Sequence, residues 1–166
     1  MMSRKKEAME GGDGGQGLTP RQLTNLATFL DTRLLQVSRR FNKKFSADDG
    51  YTSFRQIASD AKPILEILEQ SPVYIRVQYA LTLTGSLFSY LPAFPPTAVL
   101  FPLSRRLDTL FVGLCGRVDS TSKVRIASVV NDARTIAVRV YNREWSIQAG
   151  MLFEDTIEEL GKTTLF

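Results

Sequence analysis

The sequence predicts an all-α fold, a single-domain antiparallel helical bundle of about five to seven helices. Apolar residues recur three and four positions apart along most of the chain, which places them on one face of a helix. Thr19-Pro20 and Ser71-Pro72 each match the pattern of a capping residue followed by proline at a helix start. The stretch 73–118 carries few charges, so the rest of the chain must cover it.

Length and composition fit one globular domain in a reducing compartment. The chain has 166 residues, of which 43% are hydrophobic and 23% charged, and its net charge is +4. This charge favours anionic partners but specifies none. Because Cys115 is the single cysteine, it forms no intrachain disulfide, and we expect an intracellular protein, nuclear or cytoplasmic. Residues 1–17 are predicted to be a disordered tail, residues 18–161 the helical domain, and residues 162–166 a flexible C-terminal tail.

The first predicted helix ends in a basic cluster. Its apolar face extends over about seven turns and comprises Leu23, Leu26, Ala27, Leu30, Leu34, Val37, Phe41 and Phe45. Four cations follow near its end, and they are Arg39, Arg40, Lys43 and Lys44. The helix dipole favours cations at this position, but a basic cluster also predicts contacts with nucleic-acid phosphates. Both interpretations stay open.

Residues 52–70 carry an apolar face that Pro63 interrupts. Proline lacks an N–H and therefore removes one backbone hydrogen bond from a helix. We expect either a kinked helix or a short helix followed by a second that starts near Ala61.

A central helix is predicted from Pro72 to Tyr90. It is apolar in nearly all directions, so other helices should surround it. The alternation along residues 73–83 would also suit a strand. The apolar run approaches the length of a membrane span, yet Arg76 and several hydroxyl residues favour a core helix. The proline-rich segment 91–96, called the elbow below, ends the helix.

After the elbow, Pro102 is expected to end a short turn and Ser104 to cap the next helix. Arg105 and Arg106 would then lie in the first turn, where the helix dipole disfavours cations. Two arginines in this position indicate an anion or an acidic partner nearby, and the alternative is that Asp108 neutralises them.

The C-terminal third is predicted to be helical as well. Residues 123–141 keep the helical period over about four to five turns, despite many β-branched residues. Two strands joined by a turn at residues 131–132 are the alternative. A last amphipathic segment covers residues 145–160, broken by Gly150 and ended by Gly161.

The composition excludes several kinds of catalysis. The sequence contains no histidine, which removes triads with an imidazole base and most zinc sites. Cys115 lies in an apolar run, where a thiol is usually a buried hydrophobic group with a raised pKa. We therefore predict no catalytic residue, no cofactor and no metal site, and a protein that is not an enzyme.

One candidate surface is the basic cluster with the aromatic residue that follows it. Arg39, Arg40, Lys43 and Lys44 would contact phosphates, and Tyr51 would stack on a base. Basic groups combined with aromatic rings are typical of single-stranded nucleic-acid binding.

The other candidate surface is at the elbow. Tyr90, Phe94 and Phe101 lie among prolines, where exposed aromatic rings on a rigid loop bind a protein at little entropic cost. With Arg105 and Arg106 they form the predicted partner-binding surface.

The function predicted from these features is that of a non-enzymatic adaptor or scaffold, a subunit of a larger intracellular complex with one or more protein partners. The alternative is a nucleic-acid-associated protein that binds the phosphate backbone through its basic cluster. The sequence argues against a membrane partner, and it leaves self-association open.

Overall fold

Helix α1 spans Pro20–Asn42 and begins where the sequence predicts. The computed structural model describes residues 17–164. Thr19 and Gln22 form a capping box, in which the Thr19 hydroxyl accepts from the Gln22 N–H at 3.1 Å and the Gln22 side chain accepts from the Thr19 N–H at 2.8 Å. The helix ends before Phe45, whose φ of +64° is left-handed. The prediction that Phe45 lies on the apolar face of this helix is therefore wrong.

Helix α2 spans Phe54–Leu68 as one helix through Pro63. The alternative of two helices with a break near Ala61 is wrong. Pro63 lacks the N–H that would donate to the Ser59 carbonyl, and both residues are exposed at the surface of the helix.

Helix α3 spans Val73–Tyr90 and is the central helix of the bundle, so the strand alternative is wrong. Pro72 occupies the N-cap position, and the Ser71 hydroxyl donates to the Ile67 carbonyl at 2.7 Å instead of capping α3. Helix α3 packs against α1, α2 and the two helices that follow it. The predicted central position is confirmed.

The structure shows why the apolar central helix contains the charged residue Arg76. Its guanidinium donates to the carbonyl oxygens of Leu68 at 3.0 Å and Ser71 at 2.7 Å. Leu68 is the last residue of α2, and Ser71 lies in the connection between α2 and α3. The charge therefore holds the α2–α3 connection closed.

The elbow contains a 3-10 turn, Leu91–Ala93, and leads into helix α4, Leu100–Cys115. Pro102 lies in the first turn of α4, where its missing N–H costs nothing. Ser104 is buried inside the helix and does not cap it. The predicted turn ending at Pro102 and the predicted cap at Ser104 are both wrong.

Helix α5 spans Ser120–Val140 without a break, so the alternative of two strands is wrong. The Asp119 carboxylate caps it by accepting from the Ser122 N–H at 2.8 Å. At its other end, the Tyr141 hydroxyl accepts from the Thr97 N–H at 2.9 Å and lies 3.0 Å from the Thr97 carbonyl oxygen. This pair ties the chain after the elbow to the end of α5.

Two further helices complete the described chain. They are the single-turn helix α6, Ser146–Gly150, and helix α7, Glu154–Thr164, which continues past Gly161. The division into a domain and two tails stays a prediction, because residues 1–16 and 165–166 lie outside the described residues.

The core lies around α3 and contains an aromatic cluster. The Phe153 ring lies 5.7 Å from Phe88 of α3 and 6.3 Å from Phe111 of α4, measured between ring centroids. The predicted all-α bundle is confirmed. Within residues 17–164, no helix has the length and apolar character needed to cross a bilayer.

A hydrogen bond between α1 and α3 predicts how stability depends on pH. The Tyr79 hydroxyl donates to the Asp31 carboxylate at 2.7 Å, and burial raises the pKa of Tyr79 to about 12. Tyr79 therefore ionises at a lower pH in the unfolded state than in the folded state. The stability that this hydrogen bond contributes is complete below the ordinary tyrosine pKa of about 10 and is lost as pH rises through the pKa of the folded state. We expect the free energy of unfolding to fall in this alkaline range.

Chemical denaturation at several alkaline pH values measures this decline, and Tyr79→Phe is the control that removes the ionising group. The variant should lose less stability between neutral and alkaline pH than the natural chain. An identical decline in both proteins would contradict the assignment to Tyr79.

Candidate functional site

The basic cluster at the end of α1 is positioned by a loop that folds back on the helix. The Tyr51 N–H donates to the Arg40 carbonyl at 3.2 Å, and the Phe45 N–H donates to the Tyr51 carbonyl at 2.9 Å. Gly50 makes this return possible, because a Cβ at this position would lie 1.8 Å from the Lys43 carbonyl oxygen. The loop thus places Tyr51 beside Arg40.

Arg40 and Tyr51 are joined to a carboxylate that the sequence did not indicate. The Arg40 Nη1 donates to Asp60 at 2.5 Å, and the Tyr51 hydroxyl donates to the same Asp60 oxygen at 2.6 Å. The Arg40 guanidinium also lies 4.3 Å from the centroid of the Tyr51 ring, within cation–π distance. Burial raises the pKa of Tyr51 above its ordinary value. Because the Tyr51 side chain is 0% exposed, the prediction that it stacks on a base is wrong.

The other cations of the cluster point in different directions. Arg39 and Lys43 are exposed, while Lys44 is half-buried with its Nζ 4.5 Å from the centroid of the Phe41 ring. Arg33, which the sequence did not single out, lines a groove of about 410 Å³ together with Arg39 and Lys43. The groove lies between α1 and α2. It therefore presents positive charge, although Arg40 itself is paired with Asp60.

The aromatic residues of the elbow are packed, not displayed. The Tyr90 ring stacks on Phe41 at 4.0 Å, and the Phe94 ring lies 6.1 Å from Phe41 and 5.5 Å from Phe45. Phe94 is 4% exposed, so the prediction of an exposed ring there is wrong. Phe45, assigned to the core from the sequence, is the exposed member at 60%. These rings attach the elbow to the end of α1.

Phe101 and the two arginines of α4 are in three different environments. The Phe101 ring is half-buried and lies 5.9 Å from Tyr141. Arg105 is exposed, and Arg106 forms an ion pair with Glu69 at 2.7 Å. Since α4 begins at Leu100, both arginines lie in its second turn and not in the first. The argument from dipole repulsion is therefore wrong.

Asp108 turns into the protein and does not neutralise these arginines. Its Oδ1 accepts from the Thr156 N–H at 2.9 Å and from the Thr156 hydroxyl at 2.5 Å. Thr156 lies in the first turn of α7, whose N–H groups lack intrahelical acceptors. A side chain of α4 thus caps α7, and the expectation that Asp108 neutralises Arg105 and Arg106 is wrong.

A second groove, which the sequence analysis missed, lies between α2 and α4 and has a volume of about 580 Å³. Its apolar lining consists of Ala58, Leu65, Val99, Pro102 and Leu103. Its charged lining consists of Arg55, Lys62 and Arg106. The spacing of Arg55, Ser59 and Lys62 on one face of α2 is the signal in the sequence. This face of α2 forms a groove only because α4 packs beside it.

Reactive groups are few in the described chain. Cys115 is fully buried, and burial raises the pKa of its thiol, as the sequence indicates. Among residues 17–164, the structure brings together no group of three or more Cys, Asp or Glu side chains that could hold a metal ion. The grooves and exposed side chains described above are therefore the candidate sites in this part of the chain.

Gly50→Ala is expected to lower the free energy of unfolding by about 1–3 kcal/mol, because the added methyl group displaces backbone atoms of the loop. Gly113→Ala is the matched control, since a Cβ at Gly113 meets nothing within 4 Å. This control should gain up to about 1 kcal/mol from its higher helix propensity. Urea denaturation measures both changes. Equal stability of the two variants would contradict the close approach at Gly50.

The chain is similar to a known protein family and to a yeast protein. A family model described as TFB6, subunit 11 of the general transcription factor TFIIH, matches residues 50–160. This match begins at Gly50 and includes both helices of the second groove, but not α1. An uncharacterized protein of Schizosaccharomyces pombe is 25% identical over 155 residues, which cover 86% of this chain and 96% of the relative. No solved structure matches the chain. Because the family model covers well over half of the sequence, the chain belongs to the TFB6 family.

Proposed function

We propose that this protein is a non-enzymatic adaptor in the nucleus, a subunit of a general transcription factor assembly of the TFIIH type. The observation that carries the proposal is the family match over residues 50–160, since the family description names a subunit of that factor. Of the seven helices in residues 17–164, the matched range contains five completely and most of α7. The proposal therefore concerns the helical body as a whole.

An exposed apolar patch beside α4 is the surface that we assign to the protein partner. Phe101, Arg105 and Met151 line a cavity of about 160 Å³. Met151 is 54% exposed, and the neighbouring Ile147 is 76% exposed. Large apolar side chains grouped at a surface are typical of protein contacts. This patch retains Phe101 and Arg105 from the predicted surface, omits Tyr90, Phe94 and Arg106, and adds Ile147 and Met151.

Affinity purification of the tagged chain from nuclease-treated nuclear extract tests the proposal. We expect the chain to co-elute with known TFIIH subunits on gel filtration. Ile147→Asp with Met151→Asp should abolish co-elution, because the charges would be buried in the contact. The matched control is Val124→Asp with Val138→Asp, which changes two exposed aliphatic residues of α5.

The outcomes separate two claims. If the natural chain elutes apart from an intact TFIIH, the proposed function is wrong. If it co-elutes and both double variants do so equally, the function stands and the patch is not the contact surface.

Nucleic-acid binding through α1 is the second candidate function. Arg33, Arg39 and Lys43 line one groove, and no acidic side chain in residues 17–164 forms an ion pair with any of them. Phosphate binding should weaken steeply when salt rises from about 0.05 to 0.2 M, whereas apolar protein contacts should not. Replacing the three cations with glutamate should abolish such binding to a DNA oligonucleotide. Undiminished binding by this variant would contradict the candidate.

A further inference from the structure

We propose that the groove between α2 and α4 binds a short protein segment in which apolar side chains lie next to aspartate or glutamate residues. The proposal rests on the proposed function, since another subunit of the assembly would supply the segment. This groove differs from the exposed apolar patch that contains Met151, because that patch uses Phe101 and Arg105 on another face of α4. Both of its helices lie inside the range that the family model matches.

The size and lining of the groove suit apolar side chains. Its volume of about 580 Å³ falls in the range of about 300–1,000 Å³ found for binding sites. Leu65 and Leu103 are buried at its base, while Val99 and Pro102 are more exposed along its side. An apolar segment that covers Val99 and Pro102 gains free energy by removing these two side chains from water.

The charges along the groove select an acidic segment. Arg55 and Lys62 are exposed, and no acidic side chain among residues 17–164 forms an ion pair with either. Arg106 is already paired with Glu69, which lies just beyond the end of α2. The unpaired positive charge therefore lies along the first nine residues of α2, whereas Arg106 is paired at its C-terminal end.

The two helices strengthen this polarity. Helices α2 and α4 begin at the same end of the groove, because Arg55 and Val99 both line it while Arg106 reaches Glu69 past the C-terminal end of α2. Neither helix has an acidic residue in its first turn or a side-chain hydrogen bond from its N-cap residue. The dipoles of both helices thus add partial positive charge at this end, although the N–H groups of Leu100, Phe101 and Leu103 in α4 already donate to backbone carbonyls.

The opposite end of α2 carries negative charge. Glu66 follows Lys62 by four positions and therefore lies on the same face, and Glu69 follows three positions later. An acidic segment bound in the reverse orientation would meet these carboxylates. We therefore expect one orientation, with the acidic residues of the segment beside Arg55 and Lys62.

The lining favours a protein over a nucleic acid. Single-stranded nucleic acids bind through aromatic platforms for the bases and several cations for the phosphates. The described groove is lined by no aromatic residue, and two of its three cations are unpaired. Its apolar base would be left against a polar sugar–phosphate backbone.

Fluorescence anisotropy with the full chain and labelled synthetic peptides tests the proposal. The first peptide contains leucine and phenylalanine anchors next to a run of glutamates, and in the second peptide serines replace the glutamates. A single-stranded DNA oligonucleotide is the third probe. We expect the acidic peptide to bind at least about tenfold more tightly than the serine peptide, which corresponds to about 1.4 kcal/mol.

Two variants change the groove in different ways. Arg55→Glu with Lys62→Glu reverses its unpaired charge, and Ser59→Trp fills it from an exposed position. Each should weaken binding of the acidic peptide about tenfold or more. The matched control is Arg21→Glu with Arg125→Glu, which makes the same charge change at an exposed arginine in the first turn of α1 and another in the second turn of α5. Circular dichroism checks that all variants are folded.

Three results would overturn the proposal. In the first, the acidic peptide binds no more tightly than the serine peptide. In the second, the control variant weakens binding as much as the groove variants do. In the third, the DNA binds more tightly than the acidic peptide, and DNA binding is lost in the variant with Arg55→Glu and Lys62→Glu. Co-purification tests the proposed function separately from the groove. If the natural chain does not enter the assembly, the proposed function is wrong whatever the peptide measurements show. If that chain enters and the peptide results fail, only the groove assignment is wrong.

Discussion

Replacing Asp108 with alanine is expected to lower the free energy of unfolding by about 3 kcal/mol, because hydrogen bonds to charged groups contribute about 1.5–3 kcal/mol each and a helix cap about 1 kcal/mol. Asp108 is 8% exposed and accepts both the N–H and the hydroxyl of Thr156. Thr156 is fully buried, so water cannot replace the lost acceptor without opening the contact between α4 and α7. The loss should therefore exceed that of an ordinary cap.

Urea denaturation of three variants separates the contributions. Asp108→Asn retains an acceptor oxygen without the charge and should lose less than the alanine variant. Asp132→Ala removes an exposed carboxylate of α5 and should change stability by less than about 0.5 kcal/mol. A loss for Asp108→Ala as small as that of Asp132→Ala would contradict the capping role.

Phe111→Ala should destabilise the protein more strongly, by about 3–5 kcal/mol, because it leaves a cavity in the core. Phe111 is fully buried and packs against Phe153, which in turn packs against Phe88. Phe153 has a left-handed φ of +60°, a conformation that is strained for a bulky residue. Its ring contacts hold it there, so the substitution also removes part of that support.

The comparison variant is Phe111→Leu, which keeps most of the apolar volume and should lose much less stability than the alanine variant. Thermal unfolding followed by circular dichroism measures both. Equal losses for the two variants would show that the cavity is not the cause.

Local signals predicted the helical bundle and several helix starts. The capping pattern at Thr19 and Pro20 lies within one turn of sequence, so it could be recognised without knowledge of the fold. The same kind of signal failed at Pro102 and Ser104. A proline that follows a turn and a proline in the first turn of a helix look alike in sequence, and only the packing of α4 decides between them.

The candidate surfaces were harder to predict, because exposure depends on contacts between distant residues. Asp60 lies 20 positions after Arg40, and it changes a free cation into a paired one. Asp108 likewise meets Thr156 across 48 positions. The α2–α4 groove exists only because two helices pack side by side, so no stretch of sequence contains it. The sequence shows where the charged and aromatic residues are, but it does not show which distant side chains they contact in the fold.

Helix α1 has a consequence for the motions of the protein. It fully buries Leu30 and Val37, and polar links attach it to the bundle through Asp31 with Tyr79 and Arg40 with Asp60. Elements with few buried apolar contacts open at lower free energy than the core. Amide hydrogens of α1 should therefore exchange with deuterium well before those of α3, as a separate cooperative unit. The folded protein would then populate a minor state in which the first helix is released and the range matched by the family model stays intact.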